Sequence, residues 1–256
     1  MIECYRLDLE SSDDRDVADL DDAERERAAR FKFAVHRTRF IAAHAQARRI
    51  LGAWLDIAPA RVPLATTQYG KPILAAAAGS MAGAAARERS FCFNLTHSNA
   101  VGYLAIAPFN VGIDLELTRP IADLQPLIDS YCSAREIAAL AVLSGEARAA
   151  GFLGIWTRKE AVLKAWGTGI GAVPLNEVHV GLDTESVSAL KGLPQQSLHD
   201  PSRGSQPYPA LRVRTLAQSD QILSIAAATE QPLVVRMVPA GASVAAAPAI
   251  PAGFSG

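Results

Sequence analysis

The chain has 256 residues, 50% of them hydrophobic, and 25 Lys and Arg stand against 26 Asp and Glu for a net charge of −1. That supports a globular protein of one large domain or two small ones, and it argues against a general polyanion binder, so no nucleic-acid partner is expected and any basic patch is local. Three scattered cysteines, Cys4, Cys92 and Cys132, lack metal or redox spacing and read as reduced packing thiols of a cytoplasmic protein.

The acidic opening MIECYRLDLESSDD predicts no signal peptide, and ILAAAAGSMAGAAA is too short and too rich in Ala and Gly to predict a membrane span. Residues 2 to 9 read as an opening strand, and SSDDRDVADLDDAERERAARF as a short acidic helix. HRTRFIAAHAQARRILGAWL predicts a longer helix with Phe40, Ala43, Ala47, Ile50, Leu51 and Trp54 on one side and Arg37, Arg39, Arg48 and Arg49 beside it. QYGKPIL is a turn, since Gly70 admits positive φ and Pro72 keeps Lys71 extended. An Ala/Gly linker follows, and then FCFNLTHS and VGYLAIAPFNVGIDLEL read as adjacent strands with a turn at APFN.

Helical spacing returns over SAREIAALAVLSGEARAAGFLGIWTRKEAVLKAWG, interrupted near Ser144 and Gly145 and ended by Gly167 and Gly169. VHVGL, LRVRTL, ILSIAAAT and LVVRMV read as further strands. PQQSLHDPSRGSQPYP reads as a surface loop and AGASVAAAPAIPAGFSG as a disordered tail. Both halves run strand, acidic short helix, long helix closing on Gly, then strands. This pattern predicts an α+β fold of two similar subdomains with the ligand site in the cleft between them, spanning residues 1–110 and 111–238 and followed by the tail at 239–256.

GIDLE places Asp114 and Glu116 on one face of a strand, with Ile113 and Leu115 packing on the other. Two like charges so close repel, and a hard cation such as Mg²⁺ would relieve them; read alone, the pair is equally the acidic face of a half-exposed edge strand. WTRKEAVLK adds Trp156, Glu160 and Lys164 at successive i+4 steps on one helical stripe, which alone would be a solvent-exposed ion pair beside a core Trp. FNLTHS sets His97 between Thr96 and Ser98 at a strand end, where binding residues cluster. No nucleophile elbow, zinc pair or phosphate loop accompanies them, because GTGIG follows a helix and lacks the GK[ST] ending.

In their order and spacing, YGKP, FNLTHS, GIDLE and WTRKEAVLKAWGTG resemble the 4′-phosphopantetheinyl transferases of the larger, surfactin-synthetase-activating type, over roughly residues 1 to 235. The resemblance implies transfer of the phosphopantetheine arm of coenzyme A to a serine of an apo acyl, peptidyl or aryl carrier protein, with release of 3′,5′-ADP. It implies two similar halves forming an intramolecular pseudo-dimer, working as a monomer, with Mg²⁺ (or Mn²⁺) required. Asp114, Glu116 and Glu160 fall on the family's metal-binding acids and Lys164 on its pyrophosphate-contacting lysine. Lys71 and Pro72 of YGKP, Thr96, His97 and Lys159 fall on coenzyme A-binding positions, and Arg37 and Arg39, with Arg30 and Lys32, lie where the family contacts the 3′-phosphate.

On this reading Glu160, directly or through a metal-bound water, or else His97, takes the proton of the carrier serine. Arginines of residues 25 to 49, with Arg135 and Arg148, offer a face for an acidic carrier. A non-catalytic module that binds coenzyme A or a carrier protein and a metal-dependent phosphohydrolase are the competing functions. Gly112, bare on the acidic face, is expected to leave room for the pyrophosphate.

Overall fold

The structure is a computed structural model and describes residues 1–75, 91–168, 173–182, 185–188 and 211–242. Of the loop expected over 73–86, Ile73 and Leu74 belong instead to a short strand whose backbone pairs with Leu64–Thr66, and 76–86 lie outside the described residues, as do the expected loop over 194–209, the second helix-ending glycine at 169 and the tail from 243 onward. Two compact units are present, one of Ile2–Thr66, Pro72–Pro108 and the chain from Arg236, the other of Met1, Thr67–Lys71 and Phe109–Val235. The architecture is α+β in both. No helix among the described residues is long and apolar enough to cross a membrane.

In the first unit, strands β1 (Ile2–Asp8), β4 (Cys92–Ser98), β5 (Val101–Ala107) and β10 (Val235–Val238) form a sheet in the order β10-β1-β5-β4. β5 runs antiparallel to both β1 and β4, with Thr96 opposite Tyr103 and His97 opposite Gly102. A two-stranded ladder, β2 (Leu64–Thr66) with β3 (Pro72–Leu74), completes the strands of this unit. Helix α3 (Ala34–Leu55) buries the expected stripe of Phe40, Ala43, Ala47, Ile50, Leu51 and Trp54. Most of that stripe shares a core with Tyr5, Leu7, Phe93, Leu104 and Ile106 from the sheet, and Trp54 Nε1 donates to the Tyr5 hydroxyl at 3.0 Å.

The single acidic helix expected before α3 is two, α1 (Asp14–Asp19) and α2 (Asp22–Ala29), because Asp13 and Asp21 each open a capping box with the acid three residues on. Leu20 and Ala28 pack with Phe40, Ile41 and Ala45 of α3, and charge adds to that hold. Fully buried Arg48 donates to Asp21 and Glu24 and to the Pro59 and Val62 carbonyls at 3.1 and 3.2 Å, while Arg49 reaches Asp16 at 2.8 Å and Asp19 at 2.6 Å.

In the second unit, β6 (Val111–Leu117), β7 (Glu185–Ser188), β8 (Leu211–Ala217) and β9 (Gln221–Ala227) form an antiparallel sheet in the order β6-β9-β8-β7. Helix α6 (Gly145–Trp166) packs along β6, β9 and β8, and α4 (Leu124–Tyr131) and α5 (Ala134–Ala141) share its core. α4 went unread because Pro126 breaks its pattern, yet at the third helical position a proline forfeits no intrahelical bond. β7 also went unread.

The strand expected at VHVGL is absent. A 3₁₀ turn (Leu175–Glu177) precedes it, and the N–H groups of Val180 and Gly181 donate to the Glu136 carboxylate at 2.8 and 3.3 Å rather than to a ladder. Cys4 and Cys132 are buried, which pushes their thiols up to about 12 and about 11, so packing is their role here.

Candidate active site

Strand β6 is buried on both faces: Val111, Ile113 and Leu115 are buried on one side, while Gly112, Asp114 and Glu116 lie on the other, toward α6. Gly112 makes the approach possible, since a Cβ there would stand 2.0 Å from the Ala161 carbonyl oxygen and 2.3 Å from the Ala165 nitrogen. The room expected beside it for a pyrophosphate is therefore filled by the backbone of α6. The same contact brings the acids of the strand beside Glu160 and Lys164 of the helix, while Trp156, one turn back, packs on Tyr131 and Phe152.

Neither the exposed acidic edge nor the exposed helical ion pair is what results. Asp114 is 7% exposed and Glu160 5%. Lys164 Nζ donates to Asp114 Oδ1 at 2.6 Å and to the Ile113 carbonyl at 3.3 Å, a charge-assisted pair between strand and helix. Glu160 Oε1 is buried and accepts no hydrogen bond among the described residues. Burial pushes the Glu160 carboxyl from 4.5 up to about 7, with Asp114 and Glu116 adding to the rise and Lys164 opposing it. The Glu116 carboxyl is raised too, by burial first and then by Asp114, against Arg119 and Lys164.

Lys71 joins this cluster from YGKP. Its turn is built by Gly70 at φ 80° and by the Thr67 N–H donating to the Lys71 carbonyl at 2.9 Å, with Pro72 opening β3 directly after it. The Lys71 ammonium donates to the carbonyls of Val111 at 3.0 Å and Lys164 at 2.6 Å, clamping the start of β6 to the last turn of α6.

Lys159, adjacent to Glu160 in sequence, points elsewhere around the helix. It is fully buried, and its ammonium meets Glu136 at 2.7 Å, the Tyr131 carbonyl at 2.7 Å and the Leu175 carbonyl at 2.8 Å. Those three acceptors match its three donors, which leaves none for the coenzyme A contact expected of it. Glu136 is the residue the sequence reading missed. Its carboxyl is held below its ordinary value, because the Lys159 charge and hydrogen bonds from Lys159 and the Val180 and Ser133 N–H groups outweigh the effect of burial. The legible signal was the capping box of Ser133 and Glu136 at the head of α5.

A buried hydroxyl chain lies on the other flank of α6: Thr157 Oγ1 to Ser224 Oγ at 2.8 Å, and Ser224 on to Thr215 Oγ1 at 3.0 Å. Ser224 stands directly across the β6–β9 ladder from Asp114.

The remaining candidates belong to the first unit. Thr96 is buried on β4, and His97 beside it is exposed near the strand end. Asn99, at φ 51° in the β4–β5 turn, accepts from Arg39 Nη1 at 3.4 Å, so Arg39 reaches the turn that follows His97. Arg30, Lys32 and Arg37 are exposed around the start of α3.

Among the described residues, no three His, Cys, Asp or Glu side chains already stand together as a metal-holding group. The chemistry of the acids nevertheless fits a hard divalent cation: burial, with Asp114 and Glu116 adding to it, disfavours the charge on Glu160, and one buried Glu160 carboxylate oxygen lacks a hydrogen-bond partner among the described residues.

Comparison with known proteins points the same way. The family model of the 4′-phosphopantetheinyl transferase superfamily matches residues 110–224, the stretch that carries β6 and α6. The chain is 37% identical over 194 residues to 4′-phosphopantetheinyl transferase HetI of a Nostoc species, covering 75% of this chain and 78% of that protein. It is 32% identical over 149 residues to 4′-phosphopantetheinyl transferase psf-1 of Bacillus pumilus, covering 57% and 58%. It is 29% identical over 188 residues to a phosphopantetheinyl transferase of a Thraustochytrium species, covering 69% and 62%.

Proposed function

The chain belongs to the 4′-phosphopantetheinyl transferase superfamily, and from that premise we propose that it moves the phosphopantetheine arm of coenzyme A onto a serine of an apo carrier protein, releasing 3′,5′-ADP. One observation carries the reading: buried Asp114 and half-buried Glu116 on β6 meet buried Glu160 on α6, whose helical stripe also carries Lys164, paired with Asp114. The non-catalytic and hydrolytic alternatives are not favoured, because the matched relatives are named as transferases and neither metal acids nor lysine are missing from this chain.

In the proposed reaction the carrier serine oxygen attacks the β-phosphorus of coenzyme A, a new P–O bond forms, and the bond to the leaving 3′,5′-ADP breaks. Asp114, Glu116 and Glu160 would hold Mg²⁺, which when bound neutralises the carboxylates and polarises the phosphorus under attack. Glu160 is the first candidate to take the serine proton. His97 is the second candidate for the same proton. Lys164 binds the pyrophosphate and stabilises the charge that gathers on its oxygens. Thr96, Pro72 and Lys71 join the coenzyme A contacts, and Arg37 and Arg39 receive the 3′-phosphate. Lys159 is a brace for α6 in this reading and not a contact.

The test is to incubate the protein with coenzyme A, Mg²⁺ and a panel of apo carrier proteins and weigh the carriers. A mass gain of one phosphopantetheine is expected, and no gain on any carrier sinks the proposal.

A further inference from the structure

The Lys164 ammonium lies 2.6 Å from Asp114 Oδ1, and the two side chains are 28% and 10% exposed. The lysine therefore pairs with one of the three candidate metal acids, while Glu160 Oε1, one helical turn away, is buried and accepts no hydrogen bond among the described residues. An ammonium is a compact point charge on a flexible stem with rotatable donors, and it can exchange one acceptor for another without moving the backbone.

On these grounds, and resting on the transferase reading above, we infer that Lys164 is an internal counter-ion that holds Asp114 against a divalent cation until an anionic phosphate draws it away. Lys164 thus has two anionic acceptors in turn, Asp114 first and then a phosphate oxygen once coenzyme A binds. The pair spares the chain an uncompensated cluster of buried carboxylates. It also lowers the affinity for free metal, because the ammonium must leave Asp114 before that oxygen can be shared. Metal and pyrophosphate are then taken up as coupled events, with the lysine as the moving part.

The experiment measures Mn²⁺ binding to the full chain without coenzyme A, by the loss of the free-ion electron paramagnetic resonance signal. Lys164→Met is expected to bind Mn²⁺ at least ~10-fold more tightly than the wild type, a shift of about 1.4 kcal/mol. Lys164→Arg, which keeps the charge, is expected to show no such gain. In an Asp114→Asn background the gain from Lys164→Met should vanish. Equal or weaker binding by Lys164→Met, or a gain that persists without Asp114, overturns the inference.

A second arm uses the unaltered protein and is independent of how the variants fold. Mn²⁺ alone should raise the labelling of Lys164 by an amine-acylating reagent, read by peptide mass spectrometry. Unchanged labelling at saturating Mn²⁺ overturns the inference as well. Neither arm reads group transfer, so carriers that gain mass while Mn²⁺ binding ignores Lys164 remove only the counter-ion role. A full Mn²⁺ response with no mass gain on any carrier removes the transferase reading instead.

Discussion

Lys159 and Glu136 meet at 2.7 Å inside the second unit, with neither residue exposed to solvent. The pair ties α6 to the head of α5 and, through the Val180 and Gly181 N–H groups, to the segment after the 3₁₀ turn. Because Glu160 is the next residue on α6, this contact also sets which way the helix turns its acid. Removing one partner leaves an uncompensated buried charge, so Lys159→Met or Glu136→Gln should each cost about 3–5 kcal/mol in urea unfolding. The double variant Glu136→Leu with Lys159→Met should recover much of that loss. For folded Lys159 variants the KM for coenzyme A should change little; a large rise in KM with stability intact would restore Lys159 to the binding site.

Glu160 makes stability depend on pH with a definite sign. Its carboxyl rises from 4.5 to about 7 on folding, so between those values the folded state holds more protons than the unfolded one and stability falls as pH rises. Below pH 4.5 both states are protonated, and above about 7 the loss is complete, at up to about 3 kcal/mol. Glu160→Gln, neutral throughout, should be more stable than the wild type at pH 8 and nearly equal to it at pH 4.5. Thermal melting of both proteins across that range, without added metal, checks the difference.

Gly112→Ala forces a methyl group to within 2.0 Å of the Ala161 carbonyl oxygen. The helix must lift from the strand, and overpacking of this kind costs roughly 1–3 kcal/mol or more. The larger effect should fall on activity, because the lift separates Asp114 from Glu160 and Lys164. A soluble Gly112→Ala protein with undiminished transfer would count against the spacing of β6 and α6 as the determinant of the site.

Asp114→Asn keeps the shape of the side chain and removes its charge. Transfer to a carrier should fall by ~100-fold or more, the scale of losing one preorganised electrostatic contact. Chelation with EDTA should abolish wild-type transfer, and Mg²⁺ should restore it. Activity that survives both treatments would show that the acids do not act through a cation.

The juxtaposition of residues at the candidate site was legible in sequence where local periodicity places it. Alternation along β6 set Asp114 beside Glu116, and the i+4 step on α6 set Glu160 beside Lys164; the two motifs meet because their apolar neighbours pack. What periodicity cannot convey is which partner arrives from a distant segment. Glu136 was invisible as the companion of Lys159, and it turned VHVGL from an apparent strand into an irregular segment by drawing off its backbone donors. Gly112 was read as open space because a missing side chain does not say what takes its place. Lys71 was expected on a ligand, and its bonds to two backbone carbonyls depend on a turn and a helix end far apart in the chain.

The Lys71 clamp has an electrostatic consequence. A 22-residue helix carries a partial negative charge of about half an elementary unit at its C-terminal end, concentrated on carbonyls that lack helical partners. In α6 that end includes the Lys164 carbonyl, which holds the Lys71 ammonium. A phosphate arriving beside Lys164 would otherwise meet the repulsive pole of the longest dipole in its unit. With Lys71 in place, that pole is offset by a full positive charge from a different part of the chain, and the helix can present its lysine to an anion without opposing it.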